Sequence, residues 1–210
     1  LPGETTGIVY GDRMTTIDAA CNSFGQTINV NMMQMMAAYC SIINGGMLYQ
    51  PHIVKRIESA NGEVVKEYKA NLVRQTITAS TSKLLRRYLK NTVEEGTAQK
   101  AGVTGYSVAG KTGTAQKGDR KDNKWIISFI GHAPAENPKF AIYVVIDEPY
   151  GTTGTSGSSA DVLTLTHNIL EKLLPYMNVY KDASDEYEDT SSSPDELTVD
   201  GIPAGTASSN

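Results

Sequence analysis

Apolar residues recur at helical spacing in three stretches of this chain and alternate or cluster as strands in the stretches between them. From Val30 to Asn44, Met32, Met33, Met36, Tyr39, Cys40 and Ile43 fall on one wide face, and Asn44-Gly45-Gly46 stops the helix. Met47 to Ile57 and Glu63 to Tyr68 read as strands; joined through Ser59-Ala60-Asn61-Gly62, they predict a hairpin with an Asn-Gly turn. Ser80 or Thr81 is placed to cap a second helix running to about Val93, with Leu84, Leu85, Tyr88 and Leu89 inward. Strands are expected at about 106–116, 125–132 and 139–147. The Pro134/Asn137/Pro138 turn between the last two permits an antiparallel hairpin but no parallel crossover. A last helix should start near Ser158, with Asp161 placed for a capping box, and end before Pro175; Val162, Leu163, Leu165, Ile169, Leu170, Leu173 and Leu174 form its apolar stripe.

Three consecutive strands flanked by helices predict an α+β fold, with helices packed on an antiparallel sheet. After residue 180 the composition turns to Asp, Glu, Ser and Thr, with too little apolar surface to offset ordering entropy. The expected division is therefore a structured region over 1–180 and an acidic, Ser/Thr-rich disordered tail over 181–210. A net charge of −4 and a pI near 5.4 supply no basic field, so nucleic acid is not an expected partner. No stretch approaches the roughly 20 apolar residues that span a bilayer. Cys21 and Cys40 sit among apolar neighbours and read as buried free thiols; no metal-ligand spacing exists, and neither metal nor cofactor is expected.

The chemistry concentrates in Ala109-Gly110-Lys111-Thr112-Gly113-Thr114-Ala115-Gln116. Gly110 and Gly113 have no Cβ to block a ligand lying along the strand, and Thr112 and Thr114 suit a strand while offering hydroxyls. In an acyl-transfer site a cation must hold the substrate's carboxylate, and a backbone N–H must face the oxygen that becomes negative. Lys111 and an edge-strand amide near Thr114 could supply these. Gly105 to Thr112 also matches a phosphate-binding loop, Gly, four residues, then Gly-Lys-Thr, and Asp147 ends an apolar run in the manner of a magnesium-binding aspartate. That pattern needs a strand before the first glycine and a helix starting at the lysine. Gln99 to Gly105 has no apolar run and Gly113 to Asn123 is polar and glycine-containing, so the nucleotide reading is rejected.

The octapeptide resembles the third active-site motif of penicillin-binding transpeptidases. In family order, Leu1-Pro2-Gly3-Glu4, Phe24-Gly25-Gln26, Asn44-Gly45-Gly46, Pro51-His52-Ile53-Val54, Gly96-Thr97-Ala98, Phe129 to Pro134 and Val144 to Pro149 extend the likeness to the C-terminal half of class B penicillin-binding proteins. The resemblance implies a penicillin-binding transpeptidase or serine β-lactamase-like fold, incomplete in this chain. It implies a peptidoglycan D,D-transpeptidase that cross-links stem peptides through a serine acyl-enzyme and binds β-lactams. Lys111, Thr112 and Thr114 would support catalysis, and Lys111, Thr112, Gly113 and Thr114 would bind substrate. The nucleophile would lie outside this chain, in Ser-x-x-Lys and Ser-x-Asn motifs upstream, leaving this chain inactive alone. Implied partners are peptidoglycan stem peptides, β-lactam antibiotics, the missing N-terminal part of the same protein and the cell-wall synthesis machinery. The implied location is the extracytoplasmic face of the membrane, anchored by an N-terminal segment absent from this chain.

An alternative is a non-catalytic sensor that binds β-lactam or peptidoglycan; another is a self-contained hydrolase using Ser80 and Lys83, which stand one helical turn apart in Ser80-Thr81-Ser82-Lys83. Ser208-Ser209-Asn210 lies in the tail and is a weaker match. His52, His132 and His167 read as packed or surface histidines, and Asp119 to Lys124 as a solvated loop.

Overall fold

The computed structural model describes residues 5–118, 124–149 and 158–183. Its centre is a three-stranded antiparallel sheet of β5 (Ala109–Lys117), β6 (Lys124–Ala133) and β7 (Phe140–Asp147), in that spatial order. Before it come α1 (Thr16–Ser23), α2 (Met32–Ile43), four short strands β1 (Met47–Tyr49), β2 (Arg56–Glu58), β3 (Val64–Glu67) and β4 (Leu72–Gln75), and α3 (Ala79–Glu94); α4 (Ala160–Tyr176) follows. The expected α+β architecture, an antiparallel sheet flanked by helices, is the observed one.

Strand alternation gives the sheet two unlike faces. Ile127 and Phe129 of β6 are fully buried, whereas Ile126, Ser128 and Ile130 between them are only half-buried. On the sealed face, Ile127, Phe129 and Val144 pack with Val93 of α3 and with Val162, Leu163, Leu170 and Leu174 of α4. Each such side chain contributes about 1.5–3 kcal/mol of burial. The register sets Lys111 opposite Ile130 and Gly113 opposite Ser128, so Lys111 and Gly113 belong to the less covered face.

Several local expectations are corrected. Asn31 caps α2 in a reciprocal box with Gln34, and Met32 and Met33 are exposed; the buried positions are Tyr39, Ser41 and Ile43. The early hairpin forms only in its inner half, β2 against β3. Its outer half, β1, pairs instead with β4, a strand the pattern did not show. Pro51 has no N–H to donate, so the ladder from β1 cannot run on toward β2.

Thr78, rather than Ser80 or Thr81, caps α3 by accepting the Thr81 N–H. The buried face of α3 is also rotated from the apolar pattern. Leu85, Leu89 and Val93 turn inward with Ser82 and Arg86, while Leu84 and Tyr88 are exposed. The cause is polar: Ser82 Oγ donates to Ile42 O at 2.6 Å and accepts the Gly45 N–H at 3.0 Å, and Arg86 donates to Ile43 O at 2.8 Å. The end of α2 would otherwise leave these carbonyls unpaired.

β5 begins at Ala109; Tyr106 instead makes an isolated bridge with Val103. The start of α4 lacks the expected capping box, and the helix runs through Pro175 to Tyr176. Thr166 is buried on α4, bonded to Val162 O, whereas Leu165 and Ile169 of the expected stripe are exposed. Both cysteines are free thiols, half-buried rather than buried. After α4, Val179 joins the core, the Asp182 carboxylate accepts the Ser107 N–H and hydroxyl, and the Asp182 N–H reaches Gly105 O. Residues 184–210 of the expected tail, and Leu1 to Glu4, lie outside the described residues.

Candidate active site

β5 is an edge strand, hydrogen-bonded to β6 on one side and to no other strand among the described residues. An edge strand presents N–H and C=O groups outward, ready to pair with an extended ligand. Lys111 to Thr114 occupy its middle. The Lys111 side chain is exposed, its ammonium 3.0 Å from Thr112 O and 3.3 Å from Thr112 Oγ1, with no carboxylate in ion-pair range among the described residues. An ammonium held only by neutral oxygens is available to a carboxylate ligand. Thr112 is half-buried and Thr114 exposed.

The two glycines do different work. A Cβ on Gly110 would lie 2.3 Å from Phe129 Cζ and 2.6 Å from Ile130 O, so only glycine lets the core ring pack under the strand. A Cβ on Gly113 would meet a single group, Ser128 Oγ, at 2.6 Å.

Both ends of the strand are pinned. At the hairpin end, Lys117 contacts Asp147 at 2.9 Å and Glu148 at 3.0 Å, and Lys124 contacts Glu148 at 3.4 Å, bridging the ends of all three strands. Hydrogen bonds to Asp147 and then Glu148 hold the Lys117 ammonium above its ordinary pKa, and the bond from Lys117 holds Glu148 below the usual carboxylate range. At the other end, His132, paired with Ala109, is fully buried; its Nδ1 lies 2.7 Å from Tyr39 Oη and its Nε2 3.1 Å from Ala135 O. A carbonyl can only accept, so Nε2 carries the proton and Nδ1 accepts from Tyr39. Burial pushes the His132 pKa down to about 4 and the Tyr39 phenol up.

The remaining candidates are placed elsewhere. Ser80 stands exposed on the first turn of α3, its Oγ 2.9 Å from Thr78 Oγ1 and not bonded to Lys83. His52 lies beside the Tyr68 ring, and His167 Nδ1 is 2.6 Å from Gly102 O. The phosphate-loop reading fails in the structure too, because Lys111 lies inside an antiparallel strand rather than at a helix start. Among the described residues no group of His, Cys, Asp or Glu could hold a metal ion, and no helix is long and apolar enough to cross a membrane. Residues 119–123 and Ser208 to Asn210 lie outside the described residues. The sequence reading missed the Tyr39–His132 pair and Ser128; a tyrosine in a helical stripe and a serine in an apolar strand carry no signal of their own.

Comparison with known proteins places these features in context. Residues 1–171 match the family model described as the penicillin binding protein transpeptidase domain. The stage V sporulation protein D of Bacillus subtilis is 40% identical over 184 residues, covering 85% of this chain and 28% of that protein. The penicillin-binding protein PbpB of Mycolicibacterium smegmatis is 33% identical, covering 85% of this chain and 29% of that protein. A crystal structure of penicillin binding protein 3 from Mycobacterium tuberculosis complexed with ampicillin superposes with a TM-score of 0.76 at 31% identity, covering 88% of this chain and 43% of that one. The chain thus spans less than a third of these curated relatives and less than half of the solved one.

Proposed function

The chain belongs to the penicillin-binding protein transpeptidase family, and on that footing we propose that it is the C-terminal part of a class B peptidoglycan D,D-transpeptidase, supplying the Lys111-Thr112-Gly113-Thr114 strand to a site whose serine lies outside it. One observation carries the reading: an ammonium that is exposed and, among the described residues, has no carboxylate partner, on a strand edge that no other described strand covers. Lys111 receives the carboxylate of the acyl-donor peptide, with the Thr112 and Thr114 hydroxyls completing its hydrogen bonds. The backbone N–H near Thr114 faces the carbonyl oxygen as it becomes negative.

The serine oxygen attacks the carbonyl of the D-Ala-D-Ala bond. As the acyl-oxygen bond forms, the C–N bond breaks and the serine proton passes to the departing D-alanine amine. An amine of a second stem peptide then takes the acyl group and returns a proton to the serine. A β-lactam acylates the same serine by ring opening, with no leaving fragment to diffuse away. The domain works at the extracytoplasmic face of the membrane with the cell-wall synthesis machinery, alongside the N-terminal part of the same protein.

In the full-length protein, Lys111→Ala should lower the second-order rate of penicillin acylation about 100-fold, the scale on which a single charged transition-state contact acts. Its melting temperature should move little, because Lys111 is exposed. Acylation equal to that of the unmodified protein removes the assigned role. This chain alone should show no penicillin adduct by intact mass; an adduct on Ser80 would replace the reading with a self-contained hydrolase.

A further inference from the structure

The buried hydroxyls of Ser41, Ser82 and Thr166 are committed to backbone carbonyls, those of Ala38, Ile42 and Val162. Ser128 is half-buried and uncommitted. It lies between Ile126 and Ile130 on the half-covered face of β6, and its hydroxyl has no hydrogen-bond partner among the described residues. Among the described residues the buried side-chain polar atom without a partner is Arg86 Nε, so the Ser128 hydroxyl still reaches water and is open to a ligand.

Its position relates it to the edge strand. Ser128 is directly opposite Gly113 and diagonal to Lys111, on their face of the sheet. Side chains of directly opposed residues normally fill the space over one another. Over Gly113 that space holds the Ser128 hydroxyl: its Oγ lies 2.6 Å from where a Cβ would be, and the next atom, Ser128 Cβ, is at 4.0 Å. Gly113 therefore opens the edge strand, and the group behind the opening is a hydrogen-bonding one.

We propose that the Ser128 hydroxyl is a ligand-binding group of the acyl-donor site, reaching through the opening at Gly113 to hydrogen-bond an amide or carbonyl of the donor peptide or β-lactam held by Lys111. The inference rests on the transpeptidase reading and adds to it a contact from the second strand of the sheet. It also gives Gly113 a second role, since a methyl there would strike Ser128 Oγ and close the opening.

The test uses the full-length protein and stopped-flow acylation by penicillin, separating the dissociation constant of the first complex from the acylation rate constant. Ser128→Ala should raise the dissociation constant about fivefold to tenfold, as one net hydrogen bond allows, with an unchanged melting temperature. Gly113→Ala should weaken binding as well, and adding Ser128→Ala to it should cost nothing further, because both remove the same contact. An unchanged dissociation constant in Ser128→Ala overturns the proposal, and so does a loss confined to the acylation rate constant, which would mean that the hydroxyl acts only in the transition state. If the unmodified protein is not acylated, the transpeptidase reading itself fails; acylation with an indifferent Ser128 leaves that reading standing and removes only this contact.

Discussion

His132 holds its place as a neutral ring. It is shut between Tyr39 of α2 and the Ala135 carbonyl, and no water-exposed surface remains to solvate a charge. Burial is the main reason its pKa falls to about 4; the Ala135 carbonyl opposes the fall and the nearby Arg86 guanidinium adds to it. Above about pH 6.5 the ring is neutral folded and unfolded, and the pair contributes fully. Between 6.5 and 4 the unfolded chain binds a proton that the native ring refuses, so stability declines as pH falls. The decline is complete below the native value, and its limit is roughly 3 kcal/mol. Carboxylates titrate in part of this window, so the informative quantity is the difference between the unmodified protein and His132→Gln. The unmodified melting temperature should fall more steeply from pH 7 to 4; parallel slopes sink the assignment of a buried neutral histidine. Gly113 and Ser128 make the opposite case at this scale, where what matters is the space one residue leaves for another.

Elements in this fold are placed by their ends as much as by their stripes. The apolar pattern of α3 ranks Leu84 and Tyr88 as core, yet both are exposed because Ser82 and Arg86 must reach the terminal carbonyls of α2. Ser82→Ala should therefore cost about 2–3 kcal/mol, by leaving the Ile42 carbonyl and Gly45 N–H buried without a partner. Leu84→Ala should cost under about 1 kcal/mol. Denaturant unfolding of the two variants decides it, and a larger loss at Leu84 reverses the argument. The same contrast explains what could be read from the chain. β5, β6 and β7 were legible within a few residues because strong apolar runs meet unambiguous turn residues. β4 was not, since Leu72 to Gln75 is short, exposed throughout and paired with a strand far back in the sequence. The Lys111 to Thr114 segment was legible as a motif, whereas Ser128 acquires meaning only from a register that no local pattern encodes.

Over the whole molecule the core is unevenly shared. Every member of the main buried cluster lies between Val93 and Val179, and before β1 the buried hydrophobic side chains are only Tyr39 and Ile43 among the described residues. Ile8, Val9, Ile17 and Phe24 are each more than half exposed. A segment of that kind gains little by folding on this chain alone, since each exposed side chain forgoes about 1.5–3 kcal/mol of burial while backbone ordering still costs roughly 1–2 kcal/mol per residue. The matched region is less than half the length of the solved relative. Hydrogen exchange by mass spectrometry can compare the isolated chain with the full-length protein. Amides of residues 5–30 should exchange rapidly in the isolated chain and become protected in the longer one, while β6 and the middle of α4 stay protected in both. Equal protection of residues 5–30 in the two proteins would mean that the exposed residues are an ordinary surface. A rise in protection confined to residues 5–30 would show that their exposed side chains are covered in the longer protein.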